Sequence, residues 1–260
     1  MPLHVTVLAI GIPLLLLALM LVSLEIGYRY GLWRRARHPG ESNEASGAVV
    51  AAVLGLLGLV LAFTFSSASE RLTTRRAQIV DEANAIGTAY RRVDLLAPAD
   101  QPAIRALFRD YVEVRIETFE KLLDQAALVA AVERGQRLQG EIWSRSVAAC
   151  DHSPNSSTSI LLLGALNEMI DITTTRAIAT VTHVPQLILG LLVFLSCLGA
   201  LLAGDTIAFQ GRRNPLHMVL FALAIASTIY VIIDLEHPRA GLITIGAPDR
   251  AMIELRNLVR

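Results

Sequence analysis

The stretch Ala45–Ser69, ASGAVVAAVLGLLGLVLAFTFSSAS, contains no Asp, Glu, Lys or Arg. A helix needs roughly 20 mainly apolar residues to cross about 30 Å of hydrocarbon, and this run exceeds that length. Three further blocks have the same character: Val5–Leu24, Val184–Gly204 and Pro215–Ile233. Together they account for a chain of 260 residues that is 53% hydrophobic and only 18% charged, with a mean hydropathy of +0.52. Soluble domains are about 45–50% apolar and about 25% charged. A soluble fold is excluded, and the chain reads as a multi-pass membrane protein with the lipid bilayer as its first partner.

The residues before the first block, Met1–His4, carry no Lys or Arg, whereas Arg29, Arg34, Arg35 and Arg37 follow it. That order suits a retained transmembrane anchor rather than a cleaved leader. The segment Tyr28–Ser46 then reads as a basic loop broken at Pro39 and Gly40. The second span runs from about Ser46 to Ser67. Neither Pro nor Gly interrupts Ala62–Ile86, so one helix is expected to continue beyond the bilayer. Leu72, Ile79, Ala83, Ile86, Tyr90 and Val93 recur along it at helical spacing. It should end near Ala97, ahead of Pro98.

Three more amphipathic helices are expected before the third span. One starts at Asp100 and carries Ile104, Leu107, Phe108, Tyr111, Val112, Arg115, Ile116 and Phe119. A second is capped by Asp124, and a third runs over Ile160–Val181 after a polar loop, Asp151–Ser159. No stretch alternates as a half-buried strand does, so the class is all-α, with a helical extramembrane domain inserted between spans two and three. The expected division is 1–67 for spans one and two with their basic loop, 68–182 for the helical domain, and 183–234 for spans three and four. Residues 235–260 form a tail with a short amphipathic helix carrying Met252, Ile253, Leu255 and Leu258.

The sequence excludes several functions. A net charge of zero and a pI near 7.0 leave no basic surface for nucleic acid. No phosphate-binding loop, nucleophile elbow, zinc-protease helix or dinucleotide fingerprint occurs, so no catalytic residue, cofactor or metal ligand is assigned. Cys150 and Cys197 stand alone and predict no disulfide.

Three groups remain as candidates. In span two, Ala51, Gly55, Gly58 and Ala62 line one face, where small residues let helices approach closely. Val49, Val53, Leu56, Val60 and Phe63 line the opposite face, which either meets lipid or forms an apolar constriction that gates by dewetting. Near the membrane ends stand Asp205, Asp234, Glu236, Arg176 and Arg239, where water or headgroups could solvate them and Asp234 could pair with Arg239 or Arg176. On the domain helices, Asn84 with Thr88 and Asn167 with Asp171 share faces that bridge helices or line an aqueous vestibule.

Three stretches carry a family resemblance: GLLGLVLAFTFSSASERLTTRRAQIVDEANAIGTAYRRVDLL (55–96), LNEMIDITTTR (166–176) and YVIIDLEHPRAGLI (230–243). They resemble the bacterial membrane proteins labelled bestrophin-like, over about Gly47 to Arg256. The resemblance implies a homo-oligomeric channel of the bacterial inner membrane that passes inorganic anions, with a hydrophobic neck corresponding to Val53–Phe63. Bestrophins are pentameric anion channels with four spans and a helical domain between the second and third. The dense acidic clasp that binds calcium in animal bestrophins has no counterpart here, so calcium gating is not implied.

The resemblance also implies a cytoplasmic helical domain. The arginines after spans one and three place those loops in the cytoplasm and the domain opposite, while Arg71, Arg75 and Arg76 after span two act the other way. The alternative function is a non-conducting sensor or scaffold whose helical domain binds a ligand or protein partner.

Overall fold

The computed structural model describes residues 3–38, 44–120, 124–152, 156–211, 213–236 and 249–260. These form α1 (Leu3–Arg37), α2 (Glu44–Arg92), α3 (Gln101–Glu120), α4 (Gln125–Asp151), α5 (Ser156–Val181), α6 (Gln186–Gln210), α7 (Pro215–Glu236) and α8 (Asp249–Val259). A single 3-10 turn, Val93–Leu95, follows α2, and no strand occurs among the described residues. Four of the helices are long and apolar enough to cross a membrane.

Local chemistry sets the ends of these helices. Asp124 accepts a hydrogen bond from the Ala127 amide at 3.1 Å and caps α4. Gly211, at φ +70°, supplies the left-handed residue that ends α6. The Asn214 side chain accepts from the Leu216 amide at 3.1 Å, and Pro215 begins α7 where its missing N–H costs nothing.

Two expected loops turn out partly helical. Tyr28–Arg37 continues α1 instead of leaving it, held by the Glu25–Arg29 pair at 2.8 Å and by Tyr30 stacked on Trp33. Residues Ser156–Ser159, read as loop, already belong to α5.

The chain divides into two compact units: Met1–Leu72 with His183–Thr244, and Thr73–Thr182 with Ile245–Arg260. The first boundary thus falls at Leu72, and the C-terminal helix groups with the helical unit.

The membrane unit packs α1, α6 and α7 with the first part of α2. Its core joins Leu16, Met20 and Leu24 to Leu57, Leu192, Leu195, Ala222 and Ile229. The tightest contact lies between α1 and α6. A Cβ placed on Gly27 would stand 1.8 Å from the Leu201 carbonyl oxygen, and one on Gly204 would stand 2.2 Å from the Leu24 oxygen. Gly31 faces Ala208 and the Asp205 backbone in the same way. Backbone rests on backbone here, the arrangement that small residues four apart permit in lipid.

The helical unit buries Ile86, Phe108, Tyr111, Ile142, Leu162, Leu166 and Met169, with Tyr90 edge-on to Phe108 at 5.8 Å. From α8, Met252, Leu255 and Val259 join this core, whereas Ile253 and Leu258, which the same helix carries, are exposed. Residues three and seven apart share a helix face, and the run 252–255–259 is the one that meets it.

Candidate functional site

Span two is the element on which the sequence places most of its candidates. At 1.5 Å rise per residue, the 49 residues of α2 extend roughly 73 Å without a break. In its apolar part, Leu54, Leu57, Leu61, Thr64 and Ala68 face the membrane unit, and Leu57 is only 2% exposed. Thr64 satisfies its own hydroxyl on the Val60 carbonyl at 2.7 Å. The opposite face has no partner among the described residues.

That uncovered face holds Ala51, Gly55, Gly58 and Ala62 on one flank, and neither glycine has an atom within 4 Å of its would-be Cβ. Leu59 runs down its middle. Leu56 and Phe63 stand on the other flank, with Phe63 66% exposed. Val53 and Val60 lie further round and are half-buried: Val60 packs on the core, and Val53 approaches Gly199. These four apolar candidates therefore split into an uncovered pair, Leu56 and Phe63, and a pair turned toward the bundle.

The ionisable groups at the ends of the spans are not solvated at open rims. Asp205, Asp234 and Glu236 are all buried by protein. Arg34 reaches Asp205 at 3.1 Å and lies over the Phe209 ring at 4.4 Å. Glu236 accepts from Arg71 at 2.8 Å and from the Val184 amide at 3.2 Å, and His183 Nδ1 stands 3.5 Å from it. Charges in an apolar setting persist when paired in this way. Arg239 lies outside the described residues, so its expected pairing with Asp234 has no structural account. Arg176 is engaged elsewhere.

Its partner is Glu82, inside the helical unit. Glu82 on α2 is fully buried between two arginines: Arg115 Nε of α3 at 2.5 Å, with Nη2 at 3.3 Å, and the Arg176 guanidinium of α5. Burial acts to lower the Arg115 pKa, but the Glu82 charge and hydrogen bonds outweigh it and hold it above its ordinary value. Beside this triad, Gln139 donates to Tyr111 Oη at 2.8 Å and to Thr173 Oγ1 at 3.2 Å. Burial pushes the Tyr111 phenol up. The network ties α2, α3, α4 and α5 together.

Glu82 and Arg115 are not among the sequence candidates, although Arg115 is one of the residues expected along α3. Their signal was position: Glu82 sits between Ile79 and Ile86 on an apolar stripe, and Arg115 occupies an apolar position of α3. A charge placed there needs a buried partner.

On the solvent face of the same unit, Asp81 of α2 and Gly164, Asn167, Glu168, Asp171 and Thr175 of α5 line a groove of about 560 Å³. Asn167 and Asp171 thus share one polar wall, while Asn84 is on α2 one turn beyond Asp81. No group of three or more His, Cys, Asp or Glu side chains suited to a metal ion occurs among the described residues. Both cysteines are free.

Four apolar spans, an all-helical architecture and ion pairs sealed at both ends of the bundle define a multi-pass membrane protein. The Bestrophin-like domain model matches residues 16–247, and the chain belongs to that family. Its fold is similar to that of a bacterial bestrophin homolog from Klebsiella pneumoniae, with a TM-score of 0.67 at 15% identity, covering 94% of this chain and 98% of the other. A tyrosine-to-alanine variant of a bacterial bestrophin homolog from the same organism also scores 0.67, at 17% identity, covering 94% of this chain and 96% of that one. No curated protein matches the sequence.

Proposed function

We propose that this protein is a homo-oligomeric ion channel of the bacterial inner membrane, with copies of α2 surrounding the conduit. The observation that carries this reading is the uncovered face of α2 in a chain of the Bestrophin-like family. The small flank at Ala51, Gly55, Gly58 and Ala62 lets a neighbouring copy approach closely. Leu56 and Phe63 then project toward the axis as an apolar neck that excludes water when narrow. Family resemblance favours inorganic anions as the ions that pass.

The test is flux from liposomes containing the purified oligomer. Leu56→Ser and Phe63→Ala should widen and wet the neck and increase flux over wild type. If wild type and both variants are silent in confirmed oligomers, the channel reading fails and the scaffold reading takes its place.

A second reading concerns the ion. Asp81, Glu168 and Asp171 line the groove of the helical unit without a lining arginine or lysine, and carboxylates enrich cations in any aqueous path they border. Reversal potentials under a salt gradient separate the two. A shift toward the chloride potential supports anions, and one toward the sodium potential supports cations.

A further inference from the structure

One end of the membrane unit is unusually rich in arginine and aromatic rings. Arg34 lies over Phe209, Arg37 over Trp33 at 4.6 Å, and Arg213 over Tyr28 at 4.8 Å. Tyr28, Tyr30, Trp33 and Phe209 gather here in a chain that is only 5% aromatic. Amphipathic rings of this kind mark the headgroup level of a bilayer. Among the described residues at this end, Arg29, Arg34, Arg35, Arg37 and Arg213 outnumber the carboxylates Glu25 and Asp205.

Within this end, α1, α2 and α6 enclose a cleft of about 270 Å³. Its walls are apolar: Val49 and Val50 from α2, Leu201 and Leu202 from α6. Its polar end is formed by Tyr30, Arg34 and Asp205. Tyr30, Arg34 and Arg37 lie at spacings of four and three, so Arg37 stands one turn beyond the cleft on the same helix face. Arg34 is neutralised by Asp205 at 3.1 Å, and Glu25 by Arg29 and Arg213. Arg37 is exposed, and no carboxylate among the described residues pairs with it. Among the described residues, Arg35 bonds a neutral acceptor, the Ala208 carbonyl, at 3.3 Å.

We propose that this cleft binds an anionic phospholipid. Its acyl chain lies along Val49, Val50, Leu201 and Leu202, and its phosphate meets Arg37, with Arg35 adding positive charge. An apolar wall with a guanidinium one turn beyond it that no described carboxylate pairs matches a lipid that is apolar at one end and negative at the other. Arg suits the phosphate because its planar fork donates two hydrogen bonds at once. The proposal does not depend on whether the protein conducts.

The experiment uses the full-length protein in detergent, titrated with dioleoyl phosphatidylglycerol or phosphatidylcholine, with retained lipid counted by native mass spectrometry. Phosphatidylglycerol should be retained over phosphatidylcholine. Arg37→Gln should weaken it about fivefold, the effect of one interfacial arginine, and Arg37→Lys, which keeps the charge but not the planar fork, should fall between Arg37→Gln and wild type. Leu202→Trp, which fills the cleft, should remove retention with helical content unchanged. Equal retention of the two lipids, wild-type binding by Arg37→Gln, or displacement of the lipid by millimolar inorganic phosphate alone would each overturn the proposal. The last result would identify a small-anion site instead.

Discussion

Gly27 and Gly31 on α1 and Gly55 and Gly58 on α2 stand in comparable apolar helices and meet opposite surroundings. The first pair lies against the α6 backbone so closely that a single methyl would collide with main-chain atoms. The second pair faces nothing among the described residues within 4 Å. A small-residue stripe is a permission for close approach, and tertiary structure decides whether the chain itself uses it. On α1 the permission is used within the chain. On α2 it is left open, which is the basis for reading that face as a surface between copies.

The sharpest way to break this contrast is to add a methyl to each stripe. Gly27→Ala meets a backbone oxygen that cannot rotate away, so its cost should reach or exceed the upper end of the about 1–3 kcal/mol usual for overpacking. Loss of monodisperse protein, or a sharply lowered melting temperature in detergent, would register it. If Gly27→Ala melts as wild type does, the α1–α6 contact is looser than described.

A second pair of variants compares the two faces of α2. Leu57 is 2% exposed and Leu59 is 53% exposed. Leu57→Ala should cost about 2–5 kcal/mol in the folding of the protomer, as buried leucines do. Leu59→Ala should leave protomer folding nearly unchanged, and thermal melting of the two variants side by side measures the difference. Equal losses in the protomer would show that the uncovered face is covered after all.

The smallest effect on folding is expected from Gly58→Leu, within about 0.5 kcal/mol for the single protomer. Its readout is assembly: the elution volume should shift toward smaller species as the small flank is filled. An unchanged elution volume would leave that flank to lipid.

The four spans were legible because a charge-free apolar block long enough to cross a bilayer is what a transmembrane helix requires, and water-soluble helices seldom go so far without a charge. The unbroken course of α2 and the Asp124 cap were legible from the placement of Pro, Gly and a single acceptor. The α1–α6 contact was not, although Gly27 and Gly31 are four apart, as are Ala200, Gly204 and Ala208. Gly27 and Gly31 lie past Leu24, where the charge-free block of the first span ends and charges begin. In the structure the arginines there are absorbed by Glu25, Asp205 and ring faces, so the helix continues. The Glu82 triad was hidden for a related reason. Its members stand far apart in sequence, and no local pattern shows which buried charge will meet which.

The α1–α6 contact also has a consequence for biosynthesis. Arg35 and the Ala208 carbonyl it bonds are 173 residues apart in sequence. At about 5–20 residues per second, a ribosome needs roughly 9–35 s to deliver the second partner after the first. Throughout that interval the first span sits in the bilayer with its glycine groove unmatched, while the segment that will become the helical unit is being made. The nascent chain must therefore keep α1 shielded by lipid or by the insertion machinery, and the membrane unit closes only when its third span arrives.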